Sequence, residues 1–259
     1  MNRSGHSFRE QWRALVAGAD VGPMVSPLCD NWSLDVPYHW PYPEPDPFPT
    51  GHRQHAVSQQ MAMAAVCGWA PSFLAGVPFD PRDAGLAAQS RTATSGGVSR
   101  CETRMATPYG ELSSIVESSV SSHTIKPLLS SEEDYRRLAW HVRATMDYDE
   151  DRAIAEGQQL RAAIGERGVL GTWWGAPIMS CDRDSLWFHL ADWPDACDEL
   201  RAAALDAGLK KIETLRKAGF DYLFYCADGT EWLSPAFFRD RILPDTQVLL
   251  GRWRELGGW

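Results

Sequence analysis

The chain has 259 residues, of which 44% are hydrophobic and 23% charged, enough for one sizeable core of the globular, water-soluble kind. A formal net charge of -9 at pH 7, with no compensating basic stripe, excludes nucleic acid as the expected partner, because phosphate backbones are held by clustered Lys and Arg. No window approaches the roughly 20 apolar residues of a membrane span, no leader-type segment opens the chain, and six scattered cysteines fit a reduced compartment, so the expected address is cytoplasmic. Twelve tryptophans are the compositional oddity. An indole needs a partner for its N–H, so this abundance points to an aromatic-lined cavity, although large cores also use it.

Residues 8–17 read as a short amphipathic helix with Trp12, Leu15 and Val16 on one side, and "PMVSPL" (23–28) as a short strand. The stretch 29–52, "CDNWSLDVPYHWPYPEPDPFPTGH", is too rich in proline for a helix or central strand and reads as a long aromatic loop. Helix formers dominate 53–67, and "PSFLAGVPF" (71–79) reads as a second buried strand. Between 85 and 129 the chain turns polar and β-branched, with "SGG" and "PYG" turns separating "VSRCETRMAT" from "ELSSIVESSV", the signature of an antiparallel excursion with hairpins.

From residue 130 the pattern is regular. A helix opening on "SSEED" is followed by a helix ending at Gly168, the strand "VLGTWWGAP" (169–177), a long helix (195–219), the strand "FDYLFYC" (220–226) and a helix over 234–258. Alternation of this kind indicates parallel β/α units.

Three stretches, "TPYGELSSIVESSVSSHTIKPLLSSEEDYRRL", "GTWWGAP" and "AGFDYLFYCADGTEWLSPAFFRDRILP", resemble the uroporphyrinogen decarboxylase superfamily, which includes porphyrinogen decarboxylases and corrinoid-linked methyltransferases. The similarity spans most of residues 8–256 and implies a single domain over 1–259, a (β/α)8 TIM-type barrel with its cleft at the C-terminal strand ends and the 85–129 excursion within it. It also implies that the last quarter to third of the barrel is missing after Trp259. A homo-oligomer or a partner chain would then complete it, since an open edge exposes backbone and apolar groups.

The porphyrinogen decarboxylases carry an arginine-rich "RQAGR"-type motif after the first strand, where this chain has "CDNWSLDVPYHW" without arginine. That departure favours the methyltransferase or demethylase branch, with a small-molecule or tetrapyrrole-like substrate and a corrinoid as the implied cofactor. Zinc is implied only if ligands of a His-x-Cys type follow residue 259. A porphyrinogen-type decarboxylase and a non-catalytic binding or assembly module remain the alternatives.

The resemblance implies a catalytic role for Asp228; read alone, Asp228-Gly229 is a turn and Glu231 a cap for the next helix. Trp232 would shield the carboxylate, which burial would then raise toward general-acid use. Trp173 and Trp174 suit stacking on a ring, but neighbours on a strand point oppositely, so only one can face the cleft. In the proline-rich loop, Asn31 and His39 are the expected substrate contacts, against the reading of that loop as a lid without chemistry. No metal site is expected: His52 and His55 have helical spacing but no third ligand, and no phosphate-binding loop is present.

Overall fold

The computed structural model describes residues 7–21, 24, 38–175, 183–226 and 233–259. In chain order the elements are α1 (Phe8–Val16), α2 (His55–Cys67), β1 (Ser72–Leu74), β2 (Gln89–Ser95), β3 (Val98–Thr107), β4 (Gly110–Ser118), β5 (Ser122–Lys126), α3 (Glu132–Ala144), α4 (Glu150–Ile164), β6 (Val169–Gly175), α5 (Arg183–Asp192), α6 (Pro194–Lys217), β7 (Tyr222–Cys226), the single turn α7 (Pro235–Phe237) and α8 (Leu243–Glu255). The predicted strand at 23–28 lies, Met24 apart, outside the described residues.

Side chains set the helix starts. Ser7 and Glu10 form a capping box on α1, while Ser131 and Asp149 accept backbone N–H groups at the starts of α3 and α4. A π-helical turn, Phe238–Ile242, joins α7 to α8.

Among the described residues the strands form two separate sheets. β1, β6 and β7 form a parallel sheet in the order β1-β6-β7, and β2 to β5 form an antiparallel meander in sequence order. The register pairs Phe73 with Leu170 and Thr172 with Leu223, which puts these residues on one face. That face packs on helices: Phe73, Leu170 and Phe220 join Met61 of α2, Leu160 and Ile164 of α4, Ile212 and Leu215 of α6, and Leu249 and Trp253 of α8 in the main core. A second core joins the meander to α3 and α6 through Leu112, Leu129, Tyr135, Leu138, Ala139 and Leu200.

The expected eight-stranded barrel is not formed. Among the described residues only three strands are parallel, and β1 and β7 each pair on one side alone. The chain between β1 and β6 goes into the meander, α3 and α4 instead of further parallel strands. A twist of about 20–25° per strand cannot close a sheet of three, whereas a barrel of this type needs eight.

A buried carboxylate fastens the start of the parallel sheet. Asp221, 3% exposed, accepts the Leu170 amide at 3.0 Å on Oδ2 and Arg9 Nη2 at 2.5 Å on Oδ1. Arg161 of α4 lies 3.7 Å away, and the Asp221 carbonyl accepts the Trp259 amide at 2.9 Å. Burial pushes Arg161 below the usual arginine range, and the Asp221 charge opposes that shift. Replacing Asp221 by Asn leaves two guanidinium groups without their counter-charge. Urea unfolding of Asp221→Asn should show a loss of about 3–5 kcal/mol, the usual cost of breaking a buried pair; a loss within error of zero would remove Asp221 as the anchor.

Candidate functional site

The second face of the parallel sheet is not covered by the helical layer. Val169, Gly171 and Trp173 of β6 alternate onto it, and the register sets Tyr222 beside Gly171 and Phe224 beside Trp173. α1 lies against β6 on this side. Between them is a cavity of about 430 Å³, walled by Trp12, Val16, Val169, Tyr222, Phe224 and Trp259.

Glycine builds the floor. A Cβ on Gly171 would stand 2.3 Å from the Tyr222 ring, so only glycine lets that phenol lie across β6. The Tyr222 hydroxyl bonds the Ser72 side chain, and burial pushes its pKa up to about 12, with the nearby Asp221 charge adding to the rise and the Ser72 bond opposing it. It is therefore a neutral phenol at pH 7. Trp173 continues the aromatic wall toward the C-terminal strand ends, its ring 4.4 Å from Phe224 at 68° and 38% exposed. One polar group in this wall is unspent: among the described residues, the buried indole Nε1–H of Trp12 has no hydrogen-bond partner. An unpaired buried donor costs about 1–3 kcal/mol.

Of the sequence-predicted residues, the two tryptophans are separated as the strand period requires. Trp173 is on the open face; Trp174 packs into the main core, where a Cβ on Gly208 of α6 would come within 3.3 Å of its ring. His39 is exposed, in the segment that leads into α2, and does not line the cavity. Asn31, Asp228 and Trp232 lie outside the described residues. Sequence reasoning missed Tyr222 and the cavity role of Trp12, whose signals were present as an aromatic at an alternating position of β7 and the largest residue on the apolar side of α1.

A second polar cluster fixes the proline-rich segment to α2. The Tyr38 hydroxyl donates to Asp46, and Ser58 Oγ and the Phe48 amide also donate to Asp46, at 2.5 and 2.9 Å. His55 Nδ1 bonds the Phe48 carbonyl at 3.0 Å. Burial pushes Asp46 up, but the hydrogen bonds from Ser58, Tyr38 and Phe48 outweigh it and hold the carboxyl below its ordinary range. Burial and the bond to Asp46 push Tyr38 up to about 12. Because Ser58 bonds the carboxylate and not His55, the cluster is a tether and lacks the relay of a nucleophilic triad.

Among the described residues no three His, Cys, Asp or Glu side chains converge as a metal site, so they supply no ligand set for zinc. Cys67 and Cys101 are free thiols. No helix among the described residues is long and apolar enough to cross a membrane. No protein-family model matches the chain, and no curated protein matches it.

Two outcomes follow from this geometry. Gly171→Ala should lower stability by about 1–3 kcal/mol in a chemical melt, the range for overpacking, while Gly175→Ala at the strand end, with open space around its Cβ position, should be near neutral. For Asp46, whose folded pKa is depressed, the stabilisation is present above the unfolded value near 3.9 and is lost as pH falls through the lower folded value. Asp46→Ala should therefore cost on the order of 1 kcal/mol at pH 7, and the gap to wild type should narrow below about pH 4. An unchanged gap at low pH would contradict the assignment.

Proposed function

We propose that the chain binds a small, flat, aromatic compound carrying a hydrogen-bond acceptor, on the face formed by Trp12, Tyr222, Phe224 and Trp173, as the substrate site of a methyl-transfer or demethylation enzyme. The observation that carries this reading is the unpaired Trp12 indole N–H in the wall of an aromatic cavity. At about 430 Å³ the cavity is within the usual range of about 300–1,000 Å³ for small-molecule sites. It suits a single substituted ring, or one edge of a macrocycle, better than a whole corrinoid.

The chemistry follows from the lining. An oxygen on the ring, such as that of a methyl ether, accepts from Trp12 when the indole turns its buried N–H to the cavity surface, and the aromatic side chains take the ring face and exclude water. The resemblance of "GTWWGAP" and "AGFDYLFYCADGTEWLSPAFF" to the uroporphyrinogen decarboxylase superfamily, on its methyltransferase side, supports the choice of reaction. A porphyrinogen-type decarboxylase is less well supported, because among the described residues no Arg or Lys lines this cavity to balance substrate carboxylates. Trp173, edge-on to Phe224 of the lining, offers a further aromatic surface on the same face, where a corrinoid or other methyl acceptor would meet the bound donor.

Tryptophan-fluorescence titration tests the reading with three probes: a neutral methoxyphenol, cobalamin and a polycarboxylate porphyrin. The methoxyphenol should bind, and Trp12→Phe, which keeps an aromatic ring at the position and removes the donor, should weaken it by about tenfold. Tightest binding of the polycarboxylate would favour decarboxylation instead. Binding of none of the three would leave the module without catalysis.

A further inference from the structure

The meander has two edges, and they differ. β5 is five residues long, carries Lys126, and meets β4 through a register shift at Ile115/Val116. A lysine and a bulge are both devices that blunt a sheet edge against further pairing. β2 has neither. Its seven residues, Gln89–Ser95, are exposed throughout, contain no proline or lysine, and pair with β3 in an unbroken register.

The hairpin fixes which backbone groups β2 leaves free. Gly96 and Gly97, at φ +58° and +80°, form a two-residue turn of the primed type, so Ser95 and Val98 are a hydrogen-bonded pair. By alternation Ala93, Arg91 and Gln89 also spend their N–H and C=O groups on β3, and Ser90, Thr92 and Thr94 aim theirs outward.

We propose that β2 is a dimerisation edge that pairs antiparallel with β2 of a second copy, about a two-fold axis at Thr92. The sequence is self-complementary in that register. Thr92 meets Thr92, Ser90 meets Thr94, and the outward-facing residues meet as hydrogen-bonded pairs. Hydroxyl pairs already cross the inner side of β2, Ser90 to Thr103 at 3.0 Å and Thr94 to Ser99 at 2.9 Å, and dimerisation continues that polar ladder. The strand's one charge, Arg91, falls opposite Ala93 of the second copy, with Glu102 opposite it on β3. An antiparallel β2 pair is thus free of directly opposed like charges, as an isologous interface requires.

Sedimentation velocity of the full chain over the micromolar range tests this. Wild type should show a reversible monomer–dimer equilibrium. Thr92→Pro removes an outward donor while leaving the β2–β3 bonds, as proline on an edge strand allows, and should yield monomer with unchanged circular dichroism; Thr92→Val, which keeps the amide, should still dimerise. A charge pair at the partner position provides a second readout that does not depend on proline being tolerated. Ala93→Glu should tighten the dimer and Ala93→Arg weaken it, each by about tenfold, since the two-fold axis counts each cross-strand pair twice. A wild-type monomer throughout the range, or a dimer indifferent to both the Thr92 and Ala93 changes, would overturn the proposal.

Discussion

The parallel sheet depends on the charge of Asp221. A carboxylate 3% exposed at the start of β7 is tolerable only because it is surrounded by donors: the Leu170 amide, Arg9 from α1 and Arg161 from α4. Those contacts fix the phase of β6 against β7 and hold α1 across the sheet. A one-residue slip would send Tyr222 and Phe224 into the helical layer. The cavity thus exists because an ion pair, and not apolar packing alone, sets the position of the helix that roofs it. The cost is visible in the Arg9 Nε atom, buried without a hydrogen-bond partner among the described residues.

Two neighbours then divide the labour. Trp174 anchors the strand in the core, which leaves Trp173 to extend the aromatic wall toward the strand ends. Gly171 allows Tyr222 to lie flat over β6, and its neutral phenol keeps the floor uncharged. On the proposed reading, a cavity with no cationic lining among the described residues and one unpaired indole donor takes flat molecules with an acceptor in preference to polyanions. Ligands of open parallel sheets usually bind beyond the carboxyl ends of the strands, whereas this cavity runs from the strand starts at Ser72, Val169 and Tyr222 to Phe224.

Much of the fold was legible locally. "VLGTWWG" and "FDYLFYC" stand out because glycine-ended helices deliver them and their runs are apolar; the hydroxyl-rich, turn-punctuated stretch over 89–126 could only be antiparallel. The number of parallel strands was not legible, since each β/α unit looks the same whether it belongs to a closed barrel or to an open sheet of three. α5, "RDSLWFHLAD", was missed because its apolar residues follow no single helical face. Nothing local marks Asp221, because its partner Arg9 is 212 positions away. Strand alternation showed that Trp173 and Trp174 must diverge, but which one faces the open side depends on where α6 and α8 pack. Asp228, which the family resemblance favoured, and Asn31 and Trp232 fall outside the described residues, so the cavity rests on other residues, those of α1, β6 and β7.

The most direct measurement is a two-dimensional NMR spectrum of protein labelled at its indole nitrogens, recorded with and without a neutral methoxyphenol. The Trp12 indole N–H resonance should move downfield as it gains an acceptor, Trp173 and Trp259 should shift with it, and the core residues Trp174 and Trp253 should stay in place. Saturable shifts confined to other tryptophans, with Trp12 unmoved, would contradict it.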